Sequence, residues 1–355
     1  MLQCCISPYP LRSPYPLSNE IENFDAINAA SYTAIDDPNG RAPSNLLSKC
    51  KAAASHSTFH EVVVTPSPRE IKANEVKVMC TETSICVIPE GTTIIMNDDL
   101  NVGAMIVRGA LKWDDITSTD GAFLCAGYIA VEGNGSWNMN VQSHSAWIYI
   151  KDNGARHSKL KSRAFGSVAI NEGDNPTVNI EGKKLDRTWS LLSKPLKEGD
   201  RSMNLMHEPI SMGWTVGDRI AIAPTERLSN GYGEDFRIES INESDGTITL
   251  DNLVQGNFIA TFAPPTLVGE EPMLMSAEVI NLDRNIVITG DDFTHVDCDP
   301  DLPEAIPGEE TSLDGCRCSS FRTKCTLGLH TIHMNAGIAR IQDTRLEKCG
   351  QRGKH

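Results

Sequence analysis

The sequence contains no long hydrophobic run. Its first residues, MLQCCISPYPL, lack the basic segment followed by about seven or more apolar residues that marks a secretory signal peptide. No stretch stays apolar for the roughly 18 residues that a transmembrane helix needs. We therefore expect neither element in this sequence, and association with a membrane would require segments outside it.

Basic residues are also scarce. Lys and Arg number 32 against 47 Asp and Glu, which gives a formal net charge of −15 at pH 7. A surface that binds phosphates needs a basic stripe, so we expect neither nucleic acid nor an anionic membrane as a partner. An acidic polysaccharide would be repelled in the same way unless a local basic patch lies within the acidic whole.

The motifs of several common catalytic sites are missing as well. The sequence has no GxSxG, HExxH, phosphate-loop or Rossmann glycine motif. Aromatic residues make up only 6% of the chain. Four of them, Trp113, Trp137, Trp147 and Tyr149, stand in apolar strand patterns, where packing is favoured over stacking on a sugar ring. The sequence therefore gives no support for a nucleophile-elbow hydrolase, a metalloprotease or a nucleotide-binding protein.

Short apolar strands separated by glycine turns dominate residues 61–182. Residues 85–115 read ICVIPEGTTIIMNDDLNVGAMIVRGALKWDD. Within each predicted strand, every second residue is apolar, while Arg108 and Lys112 stand at the alternate positions. A pleated strand would bury the first set and expose the second. The residues predicted to point inward are Met105, Val107, Leu111 and Trp113.

This pattern recurs at intervals of roughly 20 residues, which is typical of solenoid rungs. A Greek-key sandwich of antiparallel strands gives the same local pattern, so periodicity alone leaves both architectures open. Either way, the sequence predicts an all-β fold with few helices.

The chain divides into four predicted regions. Residues 1–60 contain SPYPL twice and are predicted to be disordered or partly helical. Residues 61–182 form a β-domain, and residues 183–212 form a linker. Strands resume over 213–355, interrupted by a cysteine-rich loop at 291–325.

Eleven cysteines are a high number for a reducing compartment and indicate an oxidising one. The candidates for disulfide bonds are Cys80, Cys86, Cys298, Cys316, Cys318 and Cys325. The last four allow three pairings, between which the sequence does not choose. A zinc site made of Cys316, Cys318, Cys325 and either His330 or His333 would lack the CxxC spacing of a zinc knuckle, which favours disulfides.

An adjacent acidic pair, Glu234 and Asp235, is the candidate for catalysis. Hydrolysis of a glycosidic bond needs two carboxyl groups about 5 to 10 Å apart across the bond. Neighbouring strand residues point to opposite faces, so two solvated charges at a strand start are favoured over a catalytic pair.

An alternating acidic run is the candidate for a metal. Asp297, Asp299 and Asp301 would share one side of an extended segment and could hold calcium through oxygen ligands. Pro300 and Cys298 favour the alternative that these carboxylates are surface side chains on a disulfide-bonded loop. No other cofactor is predicted.

A basic cluster lies near the end of the sequence and comprises Arg340, Arg345, Lys348, Arg352 and Lys354. It could attract an anionic glycan despite the acidic whole, or form an ordinary solvated face. Two triplets, at Asn134-Gly-Ser136 and Asn242-Glu-Ser244, are acceptors for N-glycosylation.

Several ordered segments resemble one extracellular family, whose defining domain is named for its eight glycines. The segments are VIPEGTTIIMNDDLNVGAMIVRGALKWDD, YIAVEGNGSWNM, AFGSVAINEGDNPTVNIEGKKLDRTWSLL, GWTVGDRIAIAPTERLSNGYGEDFRI, MSAEVINLDRNIVITGDD and CTLGLHTIHMNAGIARIQDTRLEKCGQ. The family includes the cell-migration-inducing hyaluronan-binding protein, the transmembrane hyaluronidase and the fibrocystins. The likeness covers roughly residues 60–355. It implies that residues 61–182 are the eight-glycine domain and that residues 213–355 are the start of a right-handed parallel β-helix like that of pectate lyases. It also implies display outside the cell and association with polysaccharide, above all hyaluronan.

Two departures from the family bear on function. The hyaluronan-depolymerising members carry an inserted domain after the strand matching EGKKLDRTWSLL, where this sequence predicts only a linker, so no residue inherits their catalytic roles. Family members also continue past Gly350 into further rungs, which predicts a truncated sequence. The leading hypothesis is a non-catalytic module that binds a cell-surface glycan. The alternatives are a polysaccharide-degrading enzyme completed by missing parts and a structural surface receptor like the fibrocystins.

Overall fold

A computed structural model gives the structure of the protein and describes residues 50, 58–65, 70–225, 234–263, 273–291, 294–299, 316–317 and 324–352. The chain folds into two compact units. Among the described residues, the first comprises those up to Gly182 and from Asn285 onward, and the second comprises those within Lys183–Arg284. Each unit has its own hydrophobic core.

Strands make up nearly all the regular structure of the described residues. The first unit begins with β1 (His60–Val63), β2 (Glu70–Lys72), helix α1 (Ala73–Met79), β3 (Ser84–Ile88), β4 (Thr93–Ile95), β5 (Leu100–Asn101), β6 (Ala104–Val107), β7 (Ala110–Asp114), β8 (Ala122–Ala126), β9 (Tyr128–Glu132), β10 (Ser136–Asn140), β11 (Ala146–Ile150), β12 (Ala164–Val168) and β13 (Thr177–Glu181). The second unit contains β14 (Trp189–Leu191), β15 (Ser202–Met203), β16 (Arg219–Ile222), β17 (Glu234–Ile241), β18 (Ile248–Leu250), β19 (Ala260–Ala263), β20 (Met273–Ser276) and β21 (Glu278–Asn281). The first unit resumes with β22 (Ile286–Gly290), β23 (Thr294–Asp299), β24 (Cys316–Arg317), β25 (Lys324–Leu327), β26 (His330–Met334), β27 (Ile338–Gln342), β28 (Thr344–Leu346) and β29 (Gln351–Arg352).

The first unit is a solenoid of three parallel sheets. Sheet A has the strand order β1-β3-β6-β9-β12-β26, sheet B the order β2-β4-β7-β10-β13-β27, and sheet C the order β28-β22-β11-β8-β5. Successive rungs supply one strand to each sheet, and neighbouring strands pair in parallel. This confirms the predicted all-β solenoid with parallel sheets, because a Greek-key sandwich would pair its strands antiparallel.

The interior of the solenoid is built from stacked apolar rows. On sheet B, Leu111 lies in register with Trp137, and Trp113 with Met139. These four side chains are buried, while Lys112 between them is exposed. The strand parity predicted for residues 85–115 therefore holds on this sheet. On sheet A every residue of β6 is buried, because other parts of the chain cover the outer face as well.

Glycines occupy the tight corners between sheets A and B. Gly109 and Gly135 immediately precede strands of sheet B, and Ser136 donates its backbone N–H to the carbonyl of Gly109 at 2.8 Å. A Cβ atom at Gly135 would overlap the carbonyl oxygen of Val107, which belongs to the rung before. The close stacking of the rungs at this corner thus requires a residue without a side chain.

The predicted boundaries differ from the structure in two ways. The solenoid begins at β1, whereas the sequence predicts that the parallel β-helix starts at 213. The predicted linker, 183–212, is the first part of a folded unit inserted between β13 and β22. The described strands within the unit pair antiparallel, and the solenoid resumes only at Asn285. Residues of the predicted segment 1–60 lie outside the described part, apart from Cys50 and 58–60.

The inserted unit is a small antiparallel barrel. Six strands follow the order β14-β21-β16-β17-β18-β15. The chain after β15 returns beside β14, where the N–H of Met206 donates to the carbonyl of Leu191 at 2.9 Å and closes the sheet. Trp214, Phe236 and other buried side chains fill the centre. Helical content is low throughout the described residues, and none of the helices there is long and apolar enough to cross a membrane.

Two disulfide bonds are present among the described residues. The predicted candidates Cys80 and Cys86 pair with each other, with 5.7 Å between their Cα atoms. Cys50 pairs with Cys125 across 75 residues, which the sequence alone did not indicate. The backbones of Cys298 and Cys316 lie opposite each other where β23 pairs with β24. Cys318 and the side chain of Cys325 lie outside the described part of the chain.

Candidate functional site

The outer face of sheet A is covered by the strap, which we define as residues 151–163 between β11 and β12. Ala155 and Leu160 of the strap pack on Tyr128 and Ala130 of β9. All four side chains are buried. This face is therefore closed to a large ligand.

A buried carboxylate, that of Glu132, anchors the middle of the strap. His157 Nε2 lies 2.8 Å from Glu132 Oε1, and Arg108 Nε lies 3.1 Å from Glu132 Oε2. Burial alone would raise the pKa of the Glu132 carboxyl, but the hydrogen bonds and charges of His157 and Arg108 outweigh it and lower that pKa. The carboxylate thus holds the strap to sheet A in its charged form.

A second polar group anchors the ends of the strap. Asp291 accepts hydrogen bonds from the Tyr149 hydroxyl at 2.7 Å and from the Asp152 N–H at 2.6 Å, and Arg163 donates to the Asp291 carbonyl. Lys151 Nζ donates to Asn101 Oδ1 at 2.8 Å, and burial lowers the pKa of this lysine to about 8. Because these groups bond mainly to one another, they fix the strap rather than offer a binding surface.

The outer face of sheet C is closed too. Its aromatic residues Phe123, Trp147 and Tyr149 are buried, and they cluster with Cys50, which is joined to Cys125 of the same face. All four aromatic residues considered for sugar stacking are buried: Trp147 and Tyr149 on this face, and Trp113 and Trp137 on sheet B. Packing, which the sequence favoured, accounts for all four.

The outer face of sheet B is the face that the described part of the chain leaves open. The rung register aligns one polar residue from each of four neighbouring strands into a row. We call this set the amide row; it comprises Lys112, Asn138, Asn179 and Arg340. Asn179 Nδ2 donates to Asn138 Oδ1 at 2.9 Å, and the cations stand at the two ends. With strands about 4.8 Å apart, the row extends for about 14 Å.

A second polar row runs beside the amide row and comprises Asp114, Asn140, Glu181 and Gln342. Asp114 Oδ1 accepts hydrogen bonds from the backbone of Ile116 and Thr117 at 3.0 and 3.1 Å, so this carboxylate caps its own turn. Gln142 Nε2 donates to Asn140 Oδ1 at 2.7 Å. The face as a whole presents amides and a few charges of both signs, which suits hydroxyl groups better than a densely charged ligand.

The predicted basic cluster is not one patch. Arg340 is exposed on sheet B and belongs to the amide row. Arg345 lies on β28 of sheet C and forms an ion pair of 2.7 Å with Glu347. Lys348 follows in the turn after β28, with a φ of 51°. The side chain of Arg352 lies outside the described residues, and so does Lys354. The cluster fails as a unit because consecutive strands of a rung face different sides.

The acidic pair proposed for catalysis lies on the inserted barrel. Asp235 is opposite Ala221 and pairs with Arg219, while Glu234 Oε2 accepts the Gln255 N–H at 2.8 Å. As neighbours on β17 they project to opposite faces, so they cannot flank one glycosidic bond.

The metal prediction falls on side chains that the structure does not describe. Among the residues that it does describe, no group of three His, Cys, Asp or Glu side chains could hold a metal ion. The side chains of Asp297 and Asp299, and the whole of Asp301, lie outside the described part. His330 Nε2 lies 2.9 Å from the Leu160 carbonyl, whereas His333 Nδ1 lies 2.8 Å from Ser167 Oγ. Burial lowers the pKa of His333 to about 4, consistent with a core position.

Both glycosylation triplets lie on exposed turns. Asn134 occupies the turn between β9 and β10, and its Oδ1 accepts the N–H of Asn175 at 3.3 Å. Asn242 follows β17, and its Oδ1 accepts the hydroxyl of Ser244 at 2.8 Å. The structure leaves both acceptors accessible to modification.

Three members of the amide row, Lys112, Asn138 and Asn179, were missed by the sequence reasoning. Each lies between two buried apolar residues on a strand that follows a corner, and that shared position is the signal that could have found them. Comparison of the sequence with protein-family models and with curated proteins finds no match.

Proposed function

We propose that this chain is a β-helical module that binds polysaccharide along the open outer face of sheet B. The observation that carries the proposal is the amide row: two hydrogen-bonded asparagines flanked by Lys112 and Arg340 on the sheet face that the described residues leave uncovered. The outer face of sheet A is covered by the strap, and the aromatic side chains on the outer face of sheet C are buried in a cluster with Cys50.

The chemistry of the row suits a glycan. Amide groups both donate and accept hydrogen bonds, as sugar hydroxyls require, and the terminal cations match carboxylates on an acidic sugar. The row crosses the strands of successive rungs, so an extended chain could contact each rung in turn. The family resemblance supports a hyaluronan-like glycan as the ligand.

An extracellular location belongs to the same proposal. Two disulfide bonds among the described residues are compatible with an oxidising compartment. The exposed triplets at Asn134 and Asn242 would carry N-glycans there.

Binding of the full chain to hyaluronan and to neutral polysaccharides, measured by biolayer interferometry, tests the proposal. We expect the double variant Lys112→Ala/Arg340→Ala to weaken binding of hyaluronan at least tenfold. The matched control is Arg156→Ala/Lys159→Ala, which removes the same charge from exposed residues of the strap. Equal losses in the two variants would indicate only a nonspecific charge effect, and absence of binding to every glycan would overturn the proposal.

A further inference from the structure

The inserted barrel carries an exposed tryptophan that the amide row does not involve. Trp189 is 43% exposed and Ile280 is 37% exposed. They lie directly opposite each other on the antiparallel strands β14 and β21, so their side chains project from the same face. Their neighbours Ser190 and Val279 are buried in the barrel, which fixes Trp189 and Ile280 on its outside.

The same face continues across two more strands. Ile280 lies opposite Ala221, and Ala221 lies opposite Asp235. Asp235 pairs with Arg219, and both side chains are partly exposed. We call this set the Trp189 row; it comprises Trp189, Ile280, Ala221, Asp235 and Arg219. Cross-strand neighbours are about 5 Å apart, so an aromatic ring, an apolar floor and a polar pair follow one another over about 15 Å.

A cation steadies the aromatic end of the row. The guanidinium of Arg187 lies over the Trp189 ring, 5.7 Å from its centroid. This cation–π contact orients the indole while much of it stays in solvent. An exposed aromatic that is held in place loses little conformational entropy when a ligand packs on it.

We propose that the Trp189 row is a saccharide-binding site of its own and takes the pyranose rings of a neutral glycan. A pyranose has an apolar face of C–H groups, which would pack on the indole and on Ile280 and Ala221. Its equatorial hydroxyls would reach Asp235 as an acceptor and Arg219 as a donor. The row thus places apolar side chains where the C–H face of a pyranose would pack and polar side chains where its hydroxyl groups would lie.

The size of the row favours a sugar over a protein partner. The exposed parts of Trp189 and Ile280 offer apolar area on the order of 200 Å², given that a whole tryptophan buries up to about 250 Å². A stable protein interface buries about 800 Å² on each partner. A site of one to three sugar rings matches the smaller area.

The charge of the inserted unit favours a neutral glycan over an acidic one. Lys183–Arg284 contains ten Lys and Arg against sixteen Asp and Glu, a net charge of −6. Within the row, Arg219 is already paired with the carboxylate of Asp235. An acidic sugar would therefore meet a net repulsion that Arg187, the cation over the Trp189 ring, offsets only in part.

Isothermal titration of the full chain with cellohexaose, laminarihexaose and chitohexaose tests the site. We expect at least one of these neutral probes to bind and Trp189→Ala to weaken that binding roughly tenfold or more. Val216→Ala is the matched control, because Val216 is a 57% exposed apolar residue of the same unit outside the row. Lys112→Ala/Arg340→Ala should leave this binding unchanged, which separates the Trp189 row from the amide row.

A measurement on the unaltered protein guards against misfolding of the variant. Trp189 is exposed, whereas Trp113, Trp137, Trp147 and Trp214 are buried. N-bromosuccinimide should therefore oxidise Trp189 first, and the bound hexasaccharide should slow that oxidation several-fold. Failure of all three probes to bind, unchanged affinity in Trp189→Ala, or unprotected oxidation of Trp189 would each overturn the proposal.

Discussion

The side-chain amide of Asn179 donates a hydrogen bond of 2.9 Å to the side-chain oxygen of Asn138, although the two residues are 41 positions apart. They meet because β10 and β13 are neighbours in sheet B with Asn138 opposite Asn179. The same register places Lys112 before them and Arg340 after them. The solenoid thus turns a position repeated along the chain into a continuous polar row.

The stability of the solenoid core should depend on Trp137, which is buried on sheet B next to the amide-row residue Asn138. Trp137 is buried and meets Phe165 edge-on, with 5.9 Å between the ring centroids. We expect Trp137→Ala to lower the free energy of unfolding of the solenoid by about 3 to 5 kcal/mol, because it leaves a cavity in a rigid stack. Urea unfolding followed by circular dichroism measures this.

The exposed Trp189 provides the control for that substitution. Trp189→Ala should lower the free energy of unfolding clearly less than Trp137→Ala does, because Trp189 is 43% exposed whereas Trp137 is fully buried. Equal destabilisation by the two substitutions would contradict the assignment of Trp137 to the core.

The corner at Gly135 should reject any side chain. A Cβ atom there would overlap the Val107 carbonyl, and rigid backbone on both sides cannot yield. We expect Gly135→Ala to cost about 2 to 3 kcal/mol of stability, seen as a lower Tm in calorimetry. Gly256→Ala is the control, because its Cβ would meet side chains and no backbone: the end of Glu234 at 3.0 Å and the Phe258 ring at an ordinary contact distance of 3.9 Å. A Tm for Gly135→Ala as high as that of the control would show that the rungs are less closely stacked.

The strap should loosen in acid. The folded protein holds the pKa of Glu132 below the ordinary glutamate value of 4.5, despite burial, through hydrogen bonds and charge interactions with His157 and Arg108. The folded state therefore binds fewer protons at this carboxyl than the unfolded state. The contribution to stability is present above about pH 4.5 and is lost as pH falls through the lower folded pKa.

Substitution of that carboxyl isolates its share of the pH dependence. Glu132→Gln should be less stable than the parent at pH 6, and the difference should shrink as pH falls below 4.5. Chemical unfolding across this range gives the two curves. A difference that stays constant with pH would rule out the charged form of Glu132 as the anchor of the strap.

The sequence predicts the solenoid in part, and the physical reason is local. Leu111 and Trp113 alternate with Lys112, so strand parity assigns the inside and outside of sheet B. The inserted barrel is not predicted because its strands alternate in the same way, and alternation does not encode whether a strand pairs parallel or antiparallel. The sequence also does not predict that the outer face of sheet A is covered, because the strap that buries Ile106 lies more than one rung later in the chain.

Of the four residues of the amide row, only Arg340 was singled out as a binding candidate from the sequence. Arg340 stood out through the basic residues near it in sequence, but Arg345 and Lys348 proved to lie elsewhere on the rung. Asn138 and Asn179 give no signal in isolation, because exposed asparagines are common on strands that face water. They become significant once the register joins them.

The central claim, that polysaccharide lies along the open face of sheet B, is tested most directly by lysine footprinting of the unaltered chain. Acetylation of Lys112 in the amide row and of the exposed Lys159 in the strap is followed by mass spectrometry with and without hyaluronan. We expect the bound glycan to slow acetylation of Lys112 several-fold and to leave that of Lys159 unchanged. Protection of Lys159 with Lys112 still reactive would contradict the account.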